Sequence, residues 1–310
     1  MMAEGKLTVA EWIDRLATQF DAAGLHFGHG TDNARDEAAW LVLHVLGAPL
    51  DGSFQEWGQD VGEAAAKSIQ RLAEARCSNA APLAYLLGLA WFAGFEFEVN
   101  SDVLVPRSPI AELILDGFRP WVEPQRVRHV LDLCTGSGCI GIATALRLPQ
   151  ARVDASDISV AALEVAARNV ARHGVGDRVR LLQSDLFDSL PSCRYDLIIA
   201  NPPYVASEGM RQLPREYQAE PGLGLVAGAD GLSVVLAILT EAPRFLAPDG
   251  ILVCEVGESE DRLVAALPGV PFLWLEFERG GSGVFVLSRA QLAAARPALN
   301  ALLRDRKDVA

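Results

Sequence analysis

The sequence predicts an α/β fold: a mainly parallel sheet covered by helices on both faces, preceded by a small helical unit and joined to it by a β-hairpin. Three observations lead there. From about residue 108 onward, apolar runs of strand length alternate with helical stretches, the order that builds a doubly covered parallel sheet. The first ninety or so residues carry helical spacing instead, and over residues 91–105 the hydrophobic period falls to two. The expected units are therefore a helical domain over 1–90, a hairpin linker over 91–107 and a sheet domain over 108–310. Half of the 310 residues are hydrophobic, enough to bury a sizeable core.

The elements follow in order. Thr8-Val9-Ala10-Glu11 has capping-box form, and Trp12, Leu16 and Phe20 recur behind it at helical spacing, with Gly24 as a stop. Asp36–Leu46 reads as a second helix, Ser53–Glu56 as the cap of a short one, and the Ala-rich stretch Ala64–Arg76 as another. Trp91 to Val99 alternates, Asn100-Ser101-Asp102 is turn chemistry, and Val103-Leu104-Val105 returns before Pro106, so 91–105 reads as a hairpin. Val127–Leu133, Arg152–Ser156, Val179–Gln183, Asp196–Ala200 and Ile251–Glu255 are the sheet strands. Cys139–Arg147, Val160–Arg172 and Gly231–Phe245 are helices between them, while Phe272–Phe277 and Val284–Leu287 close the sheet as a hairpin-like edge. The tail Arg304–Asp308 reads as a solvated helix end.

Lys and Arg total 27 against 40 Asp and Glu, a net charge of −13, with a pI near 4.9 and a mean hydropathy of +0.19. A general binder of naked nucleic acid needs a basic surface that displaces counterions, so that class is disfavoured and no direct sequence-specific nucleic-acid binding is expected. Small molecules or a basic protein partner suit the balance better. Five cysteines are too few for a disulfide scaffold at this length. No run approaches the roughly 18 apolar residues of a membrane span, and Met1–Thr8, which carries Glu4, lacks the apolar core of a signal peptide. A reducing cytoplasm is the expected setting.

Val130-Leu131-Asp132-Leu133-Cys134-Thr135-Gly136-Ser137-Gly138-Cys139-Ile140-Gly141 runs from a strand into a helix. Gly136, Gly138 and Gly141 satisfy G-x-G-x-x-G, which leaves a nicotinamide dinucleotide open on pattern alone. Asp157 ends the next strand at the spacing where a carboxylate accepts both ribose hydroxyls. Asp132, before the glycines, would repel a pyrophosphate and favour a ligand with an amino group and a sulfonium, which tilts the reading toward S-adenosylmethionine. Asp185 follows the third strand and reads either as an acceptor for an adenine amino group or as a turn or cap, with Leu186 beside it to cover the ring.

Asn201-Pro202-Pro203-Tyr204 follows an apolar strand that should lie next to the first, so it reaches the same crevice. The prolines lock φ and hold the preceding residues extended. The result is a rigid segment of carbonyl acceptors beside the Asn201 side-chain oxygen. Two acceptors can take both hydrogens of a planar NH₂ group while an aromatic face covers its plane. Fixing such a nitrogen against a sulfonium methyl accelerates transfer through orientation, and the same acceptors stabilise the charge that develops on it.

With its D-x-x-T-G-S-G loop and N-P-P-Y, the chain resembles the protein-(glutamine-N(5)) methyltransferases over essentially its whole length. The resemblance implies a Rossmann-like class I methyltransferase sheet, S-adenosylmethionine as methyl donor and a glutamine side-chain amide as acceptor. Leu104-Val105-Pro106-Arg107-Ser108-Pro109-Ile110-Ala111-Glu112 resembles the branch that modifies large-subunit ribosomal protein number three, since release-factor enzymes usually read P-R-P-D-T-E. Gly28-His29-Gly30-Thr31-Asp32-Asn33 and Ala90–Gly94 look like that branch as well. Carried over by position, Cys134, Thr135, Gly136, Ser137, Gly138, Asp157 and Leu186 go to the cofactor, Asn201, Pro202, Pro203 and Tyr204 to the amide, and Asn201 is expected to contact the cofactor as well. Cys134 stands where release-factor enzymes typically have Gly, and Leu186 where an aromatic residue is common. The helical domain is the expected substrate-recognition unit.

Other candidates carry less. Arg107 reads equally as a substrate or lid contact and as half of a structural ion pair, with Glu112 the nearest partner in sequence. His26 and His29 have no paired ligands, and Cys134 and Cys139 do not complete a zinc site, so no metal is expected. Cys77, Cys193 and Cys254 read as small buried hydrophobes. The stretch 206–231 is long for a strand-to-helix connection, and a cover over the substrate channel is expected there.

Overall fold

A computed structural model describes residues 6–309; Glu4, named in the expectation for Met1–Thr8, lies outside them. The amino-terminal unit packs α1 (Val9–Ala22), α2 (Ala34–Leu46), α3 (Glu63–Asn79) and the short α4 (Leu83–Leu87) around one apolar cluster that includes Trp12, Leu16, Phe20, Leu41 and Ile69. The capping box is formed: Thr8 accepts from the Glu11 amide at 3.3 Å while the Thr8 amide donates to Glu11 at 2.8 Å. Ser53–Glu56 is not helical; the Ser53 amide turns onto the Asp51 carboxylate at 2.9 Å, an Asx-type turn that competes with a helix start.

The hairpin differs from the expected one. Strands β1 (Leu89–Phe92) and β2 (Phe95–Glu98) pair antiparallel with Phe92 opposite Phe95. The turn is Ala93-Gly94, at φ +49° and +82°, as a two-residue hairpin loop of primed type requires. Residues 103–105 are therefore not a returning strand, and they run on as extended chain toward the sheet domain.

That domain holds β3 (His129–Leu133), β4 (Arg152–Asp157), β5 (Val179–Gln183), β6 (Tyr195–Ala200), β7 (Leu246–Glu255), β8 (Leu273–Trp274) and β9 (Val284–Ser288). Their order in the sheet is β5-β4-β3-β6-β7-β9-β8, with β9 antiparallel to both neighbours and the other pairs parallel. The strand order reverses between β3 and β6, and a doubly wound sheet opens its binding crevice at the carboxyl ends of such strands. Helices α5 (Ile110–Leu115), α6 (Cys139–Arg147) and α7 (Val160–Arg172) serve the first half of the domain. Helices α8 (Ser233–Phe245), α9 (Glu260–Ala266) and α10 (Arg289–Val309) serve the second. Two apolar clusters fill the space on either side of the sheet, because residues such as Val130 and Leu131 alternate between its faces. Among the described residues no helix is long and apolar enough to cross a membrane, and all five cysteines are free thiols.

Candidate active site

Register brings the two motifs together. Leu133 pairs with Ala200 and with Ser156, so Cys134, Asn201 and Asp157 leave three adjacent strand ends on the same side of the crevice. A cleft of about 240 Å³ opens there. Of the residues singled out from sequence, Arg107, Cys134, Thr135, Gly136, Ser137, Asp157, Asp185, Leu186, Asn201 and Pro203 line it. Asp132, Gly138, Pro202 and Tyr204 are not among its lining residues; the first three are buried and Tyr204 is half-buried.

The loop is built by its own backbone. Cys134 and Gly136 adopt φ +57° and +55°, and Gly138 φ +80°. The first of these is uncommon for a residue with a side chain. A Cβ on Gly138 would come within 2.9 Å of Ile142 and 3.2 Å of Ala166, so that glycine lets α6 and α7 close together. The third glycine makes room for a carboxylate instead. A Cβ on Gly141 would sit 2.9 Å from Asp132 Oδ2, the same oxygen that accepts from the Gly141 amide at 2.8 Å and from Thr135 Oγ1 at 2.5 Å. The glycine pattern thus serves a buried acid. Burial pushes the Asp132 carboxyl up to about 7 against the opposing pull of Thr135 and Gly141. Its second oxygen is buried with no partner among the described residues.

Asp157 accepts from the Gly136 amide and the Ser159 amide, each at 2.9 Å. Burial holds its carboxyl above the ordinary range, and the two amides orient it into the cleft. Leu186, half-buried, reaches the lining from a strained φ of +44°. Asn169 of α7, which no sequence motif marks, is fully buried and donates both to the Ser137 carbonyl and to the Glu98 carbonyl at 2.9 Å. It ties the glycine loop to the hairpin.

The acceptor motif is braced from below. Tyr204 Oη donates to Glu255 Oε1 at 3.2 Å, and Ser108 Oγ donates to the other oxygen at 2.5 Å. Glu255, at the end of β7 and 5% exposed, has its carboxyl raised by burial. Ser259 Oγ holds the Tyr204 carbonyl at 2.6 Å, and the Tyr204 and Val205 amides both donate to the Leu225 carbonyl, at 3.2 and 2.8 Å. The segment 206–231 therefore returns across the motif, and Pro221, Leu223, Gly224 and Val226 form one wall of the cleft. Arg107 has a partner, but it is Glu220, bidentate at 2.7 and 2.7 Å. Glu112 instead accepts the backbone amides of Glu278 and Arg279. With Arg107 neutralised, the lining keeps the carboxylates Asp102, Asp157 and Asp185 and, among the described residues, no free cation. That donor set fits a cationic sulfonium and ammonium ligand and would repel a pyrophosphate. No group of His, Cys, Asp and Glu able to hold a metal forms among the described residues.

Comparison with known proteins points the same way. The family model "Methyltransferase small domain" matches residues 113–214. A ribosomal protein uL3 glutamine methyltransferase from Xylella fastidiosa strain Temecula1 is 48% identical over 304 residues, covering 96% of each chain. The protein of that name from Neisseria meningitidis serogroup B is 47% identical over 292 residues, 94% of this chain and 96% of its own. Among solved structures, the hMettl16 catalytic domain in complex with MAT2A 3'UTR hairpin 6 superposes with a TM-score of 0.50 at 18% identity. It covers 70% of this chain and 82% of its own, a likeness of fold.

Proposed function

The chain belongs to the ribosomal protein uL3 glutamine methyltransferases, and from that premise we infer how its cleft residues divide the work. The enzyme transfers a methyl group from S-adenosylmethionine to the side-chain amide nitrogen of a glutamine in ribosomal protein uL3. The donor supplies an electrophilic methyl on a sulfonium; the protein supplies position. Cys134–Gly138 and Asp157 hold it, Asp157 through the ribose hydroxyls, and Asp185 and Leu186 take the adenine. The unpartnered oxygen of Asp132 places negative charge under the loop to complement its cation.

One observation carries the assignment: β3 and β6 are neighbours in register, so Asn201 enters the cleft beside the glycine loop. Asn201 Oδ1 and the Pro202 carbonyl accept the two amide hydrogens of the glutamine, and Pro203 keeps the segment rigid. Tyr204, fixed by Glu255, sets the plane against which the amide packs. A conjugated amide nitrogen is a poor nucleophile, so rate comes from alignment and from acceptors that strengthen as positive charge develops on nitrogen. The proton then leaves to water. The acidic surface suits a basic protein substrate, the helical unit provides its recognition, and a reducing cytoplasm accommodates the free thiols.

Two variants separate these roles. Asn201→Ala leaves cofactor affinity nearly unchanged and lowers kcat by about a hundredfold or more, as loss of an interaction made in the transition state does. Asp157→Ala instead weakens cofactor binding by roughly 1.5–3 kcal/mol, the range for charged hydrogen bonds. Full activity of Asn201→Ala, or an unchanged cofactor dissociation constant for Asp157→Ala, contradicts the respective role.

A further inference from the structure

The stretch Gly28–Asn33 has no part in the chemistry so far, yet it backs directly onto the cleft wall. Glu220 explains how. Its side chain is fully buried, and its two oxygens face three residues on two other segments. Oε1 accepts from the Val105 amide at 2.9 Å and from Arg107 at 2.7 Å, Oε2 accepts from the second Arg107 nitrogen at 2.7 Å, and His29 Nε2 stands 3.5 Å from Oε2. Val105 and Arg107 line one side of the cleft, and Pro221–Val226, which begins at the next residue, lines another. A single carboxylate thus pins both walls.

The helical unit supports that carboxylate. His29 is 2% exposed; its ring nitrogens form no hydrogen bond among the described residues, and its Nε2 stands 3.5 Å from Glu220, with Glu37 a second carboxylate near it. Its ring packs on Tyr217 with centroids 4.6 Å apart, and the Arg107 guanidinium lies over Tyr217 at 5.0 Å. A Cβ on Gly28 would meet Tyr217 Oη at 3.2 Å and one on Gly30 would meet Trp40 at 3.4 Å, so the glycines let the loop approach closely enough to seat His29. One turn earlier, Glu216 accepts from the His26 amide at 2.9 Å and from Arg76 at 3.2 Å.

We propose that Glu220, seated by His29, is a positioning residue for methyl transfer: it sets the separation of the Val105–Arg107 and Pro221–Val226 walls and so the alignment of donor and glutamine. Residues 28–30 then belong to the construction of the cleft, beyond any docking of the protein substrate. The proposal rests on the methyltransferase reading above.

The test compares Glu220→Gln, Glu220→Ala and His29→Ala with the parent at a temperature well below unfolding of each. Two quantities are read: the dissociation rate of S-adenosylhomocysteine from the binary complex, and kcat/KM for methylation of uL3. Gln keeps an acceptor for Val105 and Arg107, whereas Ala keeps none. Glu220→Ala is expected to speed product dissociation about tenfold and to lower kcat/KM at least as much, with Glu220→Gln and His29→Ala between it and the parent. If Glu220→Ala does not fold, the other two variants carry the test, each expected to speed product dissociation and lower kcat/KM by less than about tenfold. Folded variants with the parent's dissociation rate and kcat/KM, altered only in Tm, overturn the proposal. Because product dissociation needs no acceptor, a wrong acceptor would show as an inactive parent while the dissociation effect remained.

Discussion

Asp132 commits one oxygen to Thr135 and Gly141 and leaves the other without a partner among the described residues. Its carboxyl rises from an ordinary 3.8 to about 7, with burial as the main cause. The native protein therefore holds this proton more tightly than the unfolded chain. The contribution to stability is fully present below about pH 4 and is lost as pH rises through 7. A bound cation favours the ionised form, so cofactor binding should tighten from pH 6 to 8 and release a proton. Calorimetry with S-adenosylmethionine, in the absence of acceptor and in two buffers of different ionisation enthalpy, reads that release, and Asp132→Asn should abolish it. A pH-independent affinity contradicts this role. At this scale the sequence was informative wherever a strand end fixed position: Asp157, Cys134 and Asn201 are local to such ends and were legible. Glu220, Glu255 and Asn169 were not, because each acts across more than 30 residues of chain and carries no local motif.

Elements transmit that precision. Strand β7 is followed by Val256-Gly257, and a Cβ on Gly257, at φ +46°, would lie 2.7 Å from the Tyr204 ring. Gly257→Ala must therefore displace Tyr204 or the turn. We expect kcat to fall about tenfold or more while cofactor affinity holds, with steady-state kinetics and cofactor titration as the measurements. Unaltered kcat would show that the Tyr204 seat is not needed. The strands of the sheet domain and its helices α6, α7 and α8 were legible from their hydrophobic period, down to the bounds of α6 and α7, whereas α9 was not read and only the tail of α10 was. The hairpin turn was misplaced because Ala93 in the left-handed region has no composition signal, whereas Asn100-Ser101-Asp102 has a strong one. Short helices such as α4 and α5, too brief for periodicity to register, went unread.

At the scale of the molecule, the helical unit and the sheet domain meet through buried charge. Arg76 is 1% exposed and donates to Glu37 at 2.6 Å, to Glu216 at 3.2 Å and to the His26 carbonyl at 3.0 Å. Removing one member of such a cluster leaves uncompensated charge in a dry site, so Arg76→Ala should cost roughly 3–5 kcal/mol, read by urea unfolding. A loss below about 1 kcal/mol, typical of exposed pairs, would show that water reaches the cluster. The long connection between β6 and α8 was legible, and four of its residues line the cleft. Its attachment to the helical unit was not, since the partners Arg76 and Glu216 lie 140 residues apart.

The proposal that the cleft aligns a glutamine amide with the methyl donor is tested most directly by transfer of labelled methyl from S-adenosylmethionine to unmethylated uL3. Release factor and DNA are offered in parallel, with peptide mass spectrometry to place the label. Label on a glutamine side chain of uL3 alone, absent with Asn201→Ala, is the predicted result. Label on release factor would keep the chemistry and overturn the substrate, and label on DNA or on none of the three would contradict the account.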